Sequence, residues 1–565
     1  MLKAWNGWRA LAGMALVALV ALAAGCSDDN NNGPSAPETP GGLTVSQTTL
    51  TAVRVSWNAV SGATGYVLER ATAANPGVFA QVGGTIAATT YDDAVTAGVA
   101  TSYRVAATDG SKTSAASATV TITTGVQAAT LTGNITSNRT LYADTVYTLS
   151  GYVKVQSGVT LTVQAGTKVV GDTNVAGSSL WILRGGRIDA QGTAQAPIVF
   201  TSARSAGSRA PGDWGGIIIV GNGIINRTGT TILTEGPAQV SENYAGGNDN
   251  NDNSGTLRYV RIEFAGYDVS GGAGQELNAL SSYAVGRGTT YEYIQTMAGL
   301  DDSFEWWGGA VDGRYLVSYE SGDDHFDWTE GYQGRNQFLL ALQTQRLVPR
   351  PGTGVFSSDP RGFEGDGCDP AVSGCTLTAT GASTPFSNPV FANFTMIGPG
   401  QLAGIPADGN GAVFRRGTGG WFVNGILARW KGIALNVRDA WTDTLFVQRD
   451  SLHISNVILA QNGFNYDTTG AGFAQTTNFP AGQLSTHKAF AANVAADTLL
   501  GLTLNPTGLN WTPKAGSPAT SGAGSVTAGK VTGYFGGTWA NTAYIGAADP
   551  AGGAWWQGWT AYNIN

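Results

Sequence analysis

Charge is scarce in this sequence: Asp, Glu, Lys and Arg together make up 12% of 565 residues, about half the usual quarter. Basic residues form no block and the formal charge is −8, so the electrostatic footprint of a nucleic-acid binder is missing. Histidine occurs three times, at His325, His453 and His487. There is no His-Glu-x-x-His, no Gly-x-Ser-x-Gly elbow and no phosphate-binding glycine loop. No segment after residue 24 is long and apolar enough to span a bilayer. Glycine, by contrast, is abundant at 81 copies, roughly twice its usual share of about 7%. Few charges and many turn formers favour an all-β architecture.

The three cysteines divide by position. Lys3 and Arg9 precede an apolar run from Ala10 to Ala24 that ends Leu22-Ala23-Ala24-Gly25-Cys26. Such a run is a secretory signal rather than a transmembrane helix. Its Ala-Gly-Cys ending resembles the lipobox of bacterial lipoproteins, which implies residues 1–25 as a cleaved signal peptide and Cys26 as the lipidated N-terminus. Acyl chains hold a protein to a membrane at about 0.8 kcal/mol per buried methylene. The rest of the chain is then expected outside the cytoplasm, anchored at the bacterial surface in the outer membrane. Cys368 and Cys375, seven positions apart, read as a local disulfide in that oxidising compartment. A zinc site is a weak alternative, since no histidine lies near them.

Residues 26–40 hold Asp, Asn, Pro, Gly and Ser without a hydrophobic period and read as a flexible tether. From Leu43 the pattern alternates: Val53, Val55 and Trp57 are two apart, Tyr66 opens a second run, and Tyr103, Val105 and Ala107 form a third. Period-two runs between turn signals predict a β-sandwich. These strands resemble a fibronectin type III domain over residues 41–124, a likeness that speaks to fold and hardly to function.

Past Val126 short β-branched runs are separated by Gly, Asn and Asp, and they repeat. The runs starting at Tyr259, Tyr291, Tyr315, Phe391 and Ile454 read as versions of one strand. Asp301-Asp302-Ser303-Phe304-Glu305-Trp306 recurs as Asp323-Asp324-His325-Phe326-Asp327-Trp328, a shift of 22. One strand plus turns at such a period marks a solenoid. The leucine-rich signature is absent, nothing reads as helix, and a propeller or jelly roll would need closely spaced hairpins. The prediction is a right-handed parallel β-helix over residues 126–565, its first coils formed around Tyr152, Val159 and Trp181. The stretch from Gly212 to Trp559 as a whole resembles uncharacterised secreted bacterial β-helix proteins of pectate-lyase-like fold, in which paired Asp-Asp-x-Phe-Glu/Asp-Trp coils recur. That resemblance implies fold and location and brings no established reaction.

Stacked coils put equivalent residues about 4.8 Å apart. The shift of 22 therefore places Asp301 over Asp323, Asp302 over Asp324 and Glu305 over Asp327. With Phe304, Trp306, Phe326 and Trp328 inward, alternation turns Ser303, Glu305, His325 and Asp327 outward. Carboxylates one rung apart repel, so a pKa must rise, a cation must bind or an arginine must approach. A raised pKa suits a glycoside hydrolase. A bound Ca²⁺, on Asp301, Asp302, Asp323 and Asp324 or on the loop carrying Asp249 and Asp252, suits a structural site or a lyase. Catalysis would draw on Asp302, Glu305, Asp324 and Asp327, with Arg314 and Arg335 near in sequence. The plainer alternatives are aspartates that satisfy turn amides, arginines in ordinary salt bridges and, for Asp249 and Asp252, a mobile loop. Exposed aromatics can stack on sugar rings, although most tryptophans close cores. Trp307, Trp555 and Trp556 are the candidates, because adjacent residues on a strand face opposite ways and one of each pair should lie near the surface.

The leading expectation is a non-enzymatic surface module that binds glycan or another surface component, partnered by the membrane through its lipid and by no nucleic acid. The alternative is a polysaccharide lyase or glycoside hydrolase working through the stacked carboxylates. An enzyme needs the acidic coils open to a groove with a cation in reach; a scaffold buries them in turn hydrogen bonds.

Overall fold

The computed structural model describes residues 35–73, 75–272, 274–400, 409–466, 489–492, 500 and 509–564. Cys26, the signal segment and His487 lie outside the described residues, as does most of the tether. Among the described residues no helix is long and apolar enough to cross a membrane.

Seven strands open the fold: β1 Thr44–Thr49, β2 Ala52–Ser56, β3 Gly65–Thr72, β4 Ala80–Ile86, β5 Thr90–Ala94, β6 Ala100–Thr108 and β7 Val120–Thr123. They form two antiparallel sheets, ordered β1-β2-β5 and β4-β3-β6-β7. The alternating residues supply the space between them: Val53, Val55, Trp57, Tyr66, Leu68, Tyr103 and Val105 are all buried. Asp93 accepts from the Tyr103 hydroxyl at 2.6 Å and from Arg70 at 2.9 Å, which ties one sheet to the other.

Among the described residues from Gln127 onward, 24 strands pair in parallel with the strand one coil away and build one sheet wound on itself; two short hairpins, Tyr267–Asp268 with Glu276–Leu277 and Leu377–Thr378 with Gly381–Ala382, are antiparallel. The first coil begins at Gln127–Ile135, one coil earlier than the sequence suggested. Each complete coil has three faces. One of them stacks Ser179–Ile182, Ile217–Val220, Leu280–Tyr283, Phe304–Trp307, Phe326–Thr329, Phe363–Asp366, Ala412–Arg415 and Ile433–Val437 in turn. The other two are the halves of longer strands such as Gly255–Glu263 and Thr290–Met297. Inside runs one apolar column, with Phe304 on Phe326 at 5.2 Å and Phe391 on Phe422 at 5.7 Å.

In the long strand Thr145–Val155 the bend falls at Gly151, but from Gly255–Glu263 onward it is a non-glycine residue in the left-handed region: Tyr259, Tyr293, Tyr315, Phe338, Asn393, Asn424 and Asn456, with φ between 50° and 64°. Such a conformation costs roughly 1 kcal/mol or more each. It is offset by what stacks there. The rings pile at 4.3, 4.4 and 5.1 Å, and the asparagine amides donate to the segment 509–564, Asn424 to the Gly524 carbonyl at 2.9 Å and Asn456 to that of Gly522 at 2.6 Å. This sets the register: Tyr293 stands over Tyr259, whereas Tyr291 pairs with Leu257. One helix also interrupts the coils, Ala440–Val447, capped by Asp439, whose carboxylate accepts from Trp441 and Thr442. Period-two reasoning had no place for it.

Candidate functional site

The repeated Asp-Asp-x-Phe coils stack in the register their spacing implies, Phe304 on Phe326, Glu305 on Asp327 and Trp306 on Trp328. Their acidic residues then divide into two groups with different work.

Asp302 and Asp324 sit at the corner before the strand and are 6% and 1% exposed. Each accepts the backbone N–H of the next coil: Asn278 Oδ1 takes that of Asp302 at 3.0 Å, Asp302 Oδ1 that of Asp324 at 2.7 Å, and Asp324 Oδ1 that of Arg361 at 2.6 Å. The column closes on a cation, Arg361 Nη1 lying 3.2 Å from Asp324 Oδ2. Asn278, Asp302, Asp324 and Arg361 each precede by two the first strand residue, Leu280, Phe304, Phe326 and Phe363. The turn-amide reading therefore holds for this pair.

Glu305 and Asp327 point outward from the strand and are half-buried. Glu364 continues their column one rung on. Together they face a cleft of about 850 Å³, with Trp307, Glu235, Glu330, Asp366, Arg227, Arg415 and Arg416 around it. Arg415 reaches Glu364 at 2.7 Å and Asp366 at 2.8 Å, Arg416 reaches Asp366 at 2.5 Å, and Arg227 reaches Glu330 at 3.1 Å. Among the described residues Glu305 and Asp327 form no ion pair; Glu305 accepts only from the Asn278 amide at 2.5 Å. Burial, reinforced by neighbouring carboxylates, holds both well above the ordinary carboxylate range. Burial likewise raises Asp301 and Asp302, and takes Asp323 and Asp324 up to about 7 and Glu364 up to about 8.

Three carboxylate triads have ligand oxygens within 4.8 Å of one another: Asp301, Asp302 and Asp323; Asp302, Glu305 and Asp327; Asp324, Asp327 and Glu364. These could hold a hard divalent cation, which prefers oxygen donors. Asp249 and Asp252 belong to none of them. Both accept backbone N–H groups, Asp249 from Asn251 at 2.8 Å and Asp252 from Asn222 at 3.0 Å.

Several expectations need correction. Arg314 and Arg335 are close to the acidic coils in sequence but lie on the next face of the helix. Arg314 pairs with Glu292, and Arg335 with Asp312. Ser303 and His325 point inward, because the corner before the strand breaks the alternation. His325 is 1% exposed with Nδ1 at 2.5 Å from Ser318 Oγ, and burial depresses its pKa to about 3. Trp306 and Trp307 are both buried: Trp306 in the core, Trp307 flat on Tyr283 at 3.9 Å with only its edge toward the cleft. Trp555 and Trp556 lie in an irregular segment on another side, where Trp555 packs on the tyrosine stack at 5.1 Å from Tyr315 and Trp556 is buried with its Nε1 donating to the Leu509 carbonyl at 3.3 Å. Cys368 and Cys375 are bonded to each other.

Sequence reasoning missed Glu235, Glu330, Glu364 and Asp366. Phe363-Glu364 is a third copy of the Phe-acid pair, but a long turn after Leu342 stretches its spacing to 37. Glu235 and Glu330 carry no repeat signal at all.

Fold and site together define a parallel β-helix with an acidic cleft on one face, preceded by a β-sandwich. The chain belongs to the family described as pectate-lyase like beta helix domain, whose model matches residues 133–501. No curated protein matches. Solved structures similar to the N-terminal part include "Structure of FN3tt mut", 15% identical, covering 16% of this chain and 99% of that one with a TM-score of 0.15. A Fn3-like protein from Clostridium thermocellum is 25% identical, covering 16% and 90% with a TM-score of 0.14.

Proposed function

We propose that this is a surface glycan-binding β-helix protein, tethered through lipidated Cys26, that receives a polysaccharide strand along the cleft over Glu305, Asp327 and Glu364. The observation that carries the reading is the cleft itself: about 850 Å³ along the stacking direction, offering carboxyls at successive rungs, arginines already held in place and the edge of Trp307. Rungs about 4.8 Å apart present a repeating row of acceptors to a repeating row of hydroxyls, and buried polar groups of this kind fix orientation and specificity. The fold family is compatible with polysaccharide ligands.

A hydrolytic role is favoured by one further observation. Glu305 and Asp327 are stacked, form no ion pair among the described residues and titrate above the ordinary range, so one can stay protonated beside an ionised neighbour, as acid catalysis at a glycosidic oxygen requires. Glycan-array binding and reducing-end release, measured on wild type and on Glu305→Gln and Asp327→Asn, test both. Binding lost in the variants with folding intact supports the cleft. An array on which wild type retains nothing removes it, and binding without any product leaves a binding module.

A further inference from the structure

Between Asn226 and Ala245 the chain leaves the coil stack and folds over the cleft. Its base is pinned: the Asn226 and Thr228 N–H groups donate to the carbonyls of Glu330 and Gly374, each at 2.9 Å, and Arg227 Nε donates to that of Ser373 at 3.0 Å, inside the Cys368–Cys375 loop. The other end is pinned by the Tyr244 hydroxyl on Glu330 at 2.8 Å and by Arg184 on the Ala245 carbonyl at 3.0 Å. Between the pins the segment bonds largely to itself, Thr234 N–H to the Glu242 carbonyl and Tyr244 N–H to that of Ile232, both at 2.9 Å. To the body it is bonded by Lys154, which reaches the Val240 carbonyl at 2.7 Å and Glu242 at 2.6 Å, and by the Glu235 N–H on the Tyr283 hydroxyl at 3.1 Å. Ile232 and Thr234 are buried beneath it, whereas Leu233 is exposed.

Glu235 is the carboxyl this segment brings to the cleft. The groups around it are predominantly acidic. Glu276 comes from the strand Glu276–Leu277, Glu305 from Phe304–Trp307, Asp301 from the corner before it and Glu330 from the turn after Phe326–Thr329. Tyr283 and Tyr244 are phenols whose own ionisation is pushed far up by burial. The nearest cations are engaged, Arg227 by Glu330 and Lys154 by Glu242. The Tyr283 hydroxyl offers the Glu235 carboxyl a hydrogen bond that favours ionisation, but burial and the carboxylates outweigh it, so an ionised Glu235 in the closed position is disfavoured while a protonated one can rest there.

We propose that residues 229–243 form a proton-controlled flap over the acidic cleft, seated when Glu235 carries a proton and loosened when it is ionised. Burial and the surrounding carboxylates favour the protonated form in the seated state. The sign follows by linkage: the seated state holds the proton more tightly, so rising pH drains it and falling pH fills it. The disulfide loop keeps the hinge fixed, so the motion is confined to the span between the pins. The device does not depend on what the cleft binds, though it would control access to it.

Hydrogen exchange of the whole protein, corrected for the intrinsic pH dependence and run in chelator so that the proton is the only cation offered, tests this over a series of pH values rising from about pH 5, where a carboxyl held well above its ordinary range keeps its proton. Protection of 229–243 should fall by about tenfold or more at the higher pH values, and by more than that of the core strands Phe304–Trp307 and Phe326–Thr329, which follow global stability alone. Glu235→Gln, uncharged throughout, should remain protected throughout, and Tyr283→Phe should loosen the flap throughout. Wild-type flap protection that does not change with pH overturns the proposal without recourse to any variant. So does Glu235→Gln losing protection with pH as wild type does.

Discussion

Replacing Asp302 separates a turn cap from a charge requirement. Its Oδ1 accepts the Asp324 N–H at 2.7 Å, and that residue is 1% exposed, so water cannot take the acceptor's place. Asp302→Ala leaves a buried donor unsatisfied, which costs about 1–3 kcal/mol. In a β-helix of more than 400 residues the unfolding entropy is near 0.9 kcal/mol per kelvin, so about 2 kcal/mol lowers Tm by only about 2 °C. Denaturant midpoints, with exchange at the Asp324 amide as the local readout, are therefore the better assay. Asp302→Asn keeps an acceptor and removes an ionisable group coupled to Glu305, Asp301 and Asp324, so it should be neutral or stabilising. Asp324→Ala should cost about the same as Asp302→Ala, about 1–3 kcal/mol, because the Arg361 N–H loses its acceptor while the Arg361 side chain keeps Asp359 and Glu364 as partners. If Asp302→Asn proves as damaging as Asp302→Ala, the carboxylate itself is required and the cap reasoning fails in favour of a bound cation.

Burial raises Asp323, Asp324 and Glu320 to about 7 and Glu364 to about 8, so the folded chain keeps protons that the unfolded chain releases. Stability in chelator should then fall from about pH 4 to about pH 8, by up to about 1.4 kcal/mol per unit for each such carboxyl; a urea midpoint that is flat or rises over that range would contradict this. Reducing the Cys368–Cys375 bond opens a short loop worth about 2.5 kcal/mol in chain entropy. It should also increase exchange at Thr228, whose N–H is bonded to Gly374 within that loop; unchanged exchange there would show that the pin does not need the bond. Cys26→Ser should release the protein from membranes, and retention through detergent-free washes would end the lipid-anchor proposal.

Much of this molecule was decided locally. A shift of 22 residues is a property of the string, and once coils stack it must bring Phe304 to Phe326 and Glu305 to Asp327. Alternating Val53, Val55 and Trp57 likewise commits residues to one face of a sheet. The same logic misplaced His325 and Ser303, because period two fails at a corner, where a left-handed or turn residue redirects the chain. It also credited Arg314 and Arg335 with a nearness that belongs to sequence, since in a three-sided coil a separation of ten residues crosses to another face. Glu364 joined the acidic column through a long turn that hid its repeat, and Glu235 came from a segment outside the coils altogether. What tertiary structure alone decided was the fate of each carboxyl: Asp302 became a backbone acceptor, Glu364 an arginine's partner, and Glu305 and Asp327 the walls of a cleft. Periodicity determines which side of a strand a residue occupies, but only packing between distant segments determines what waits there.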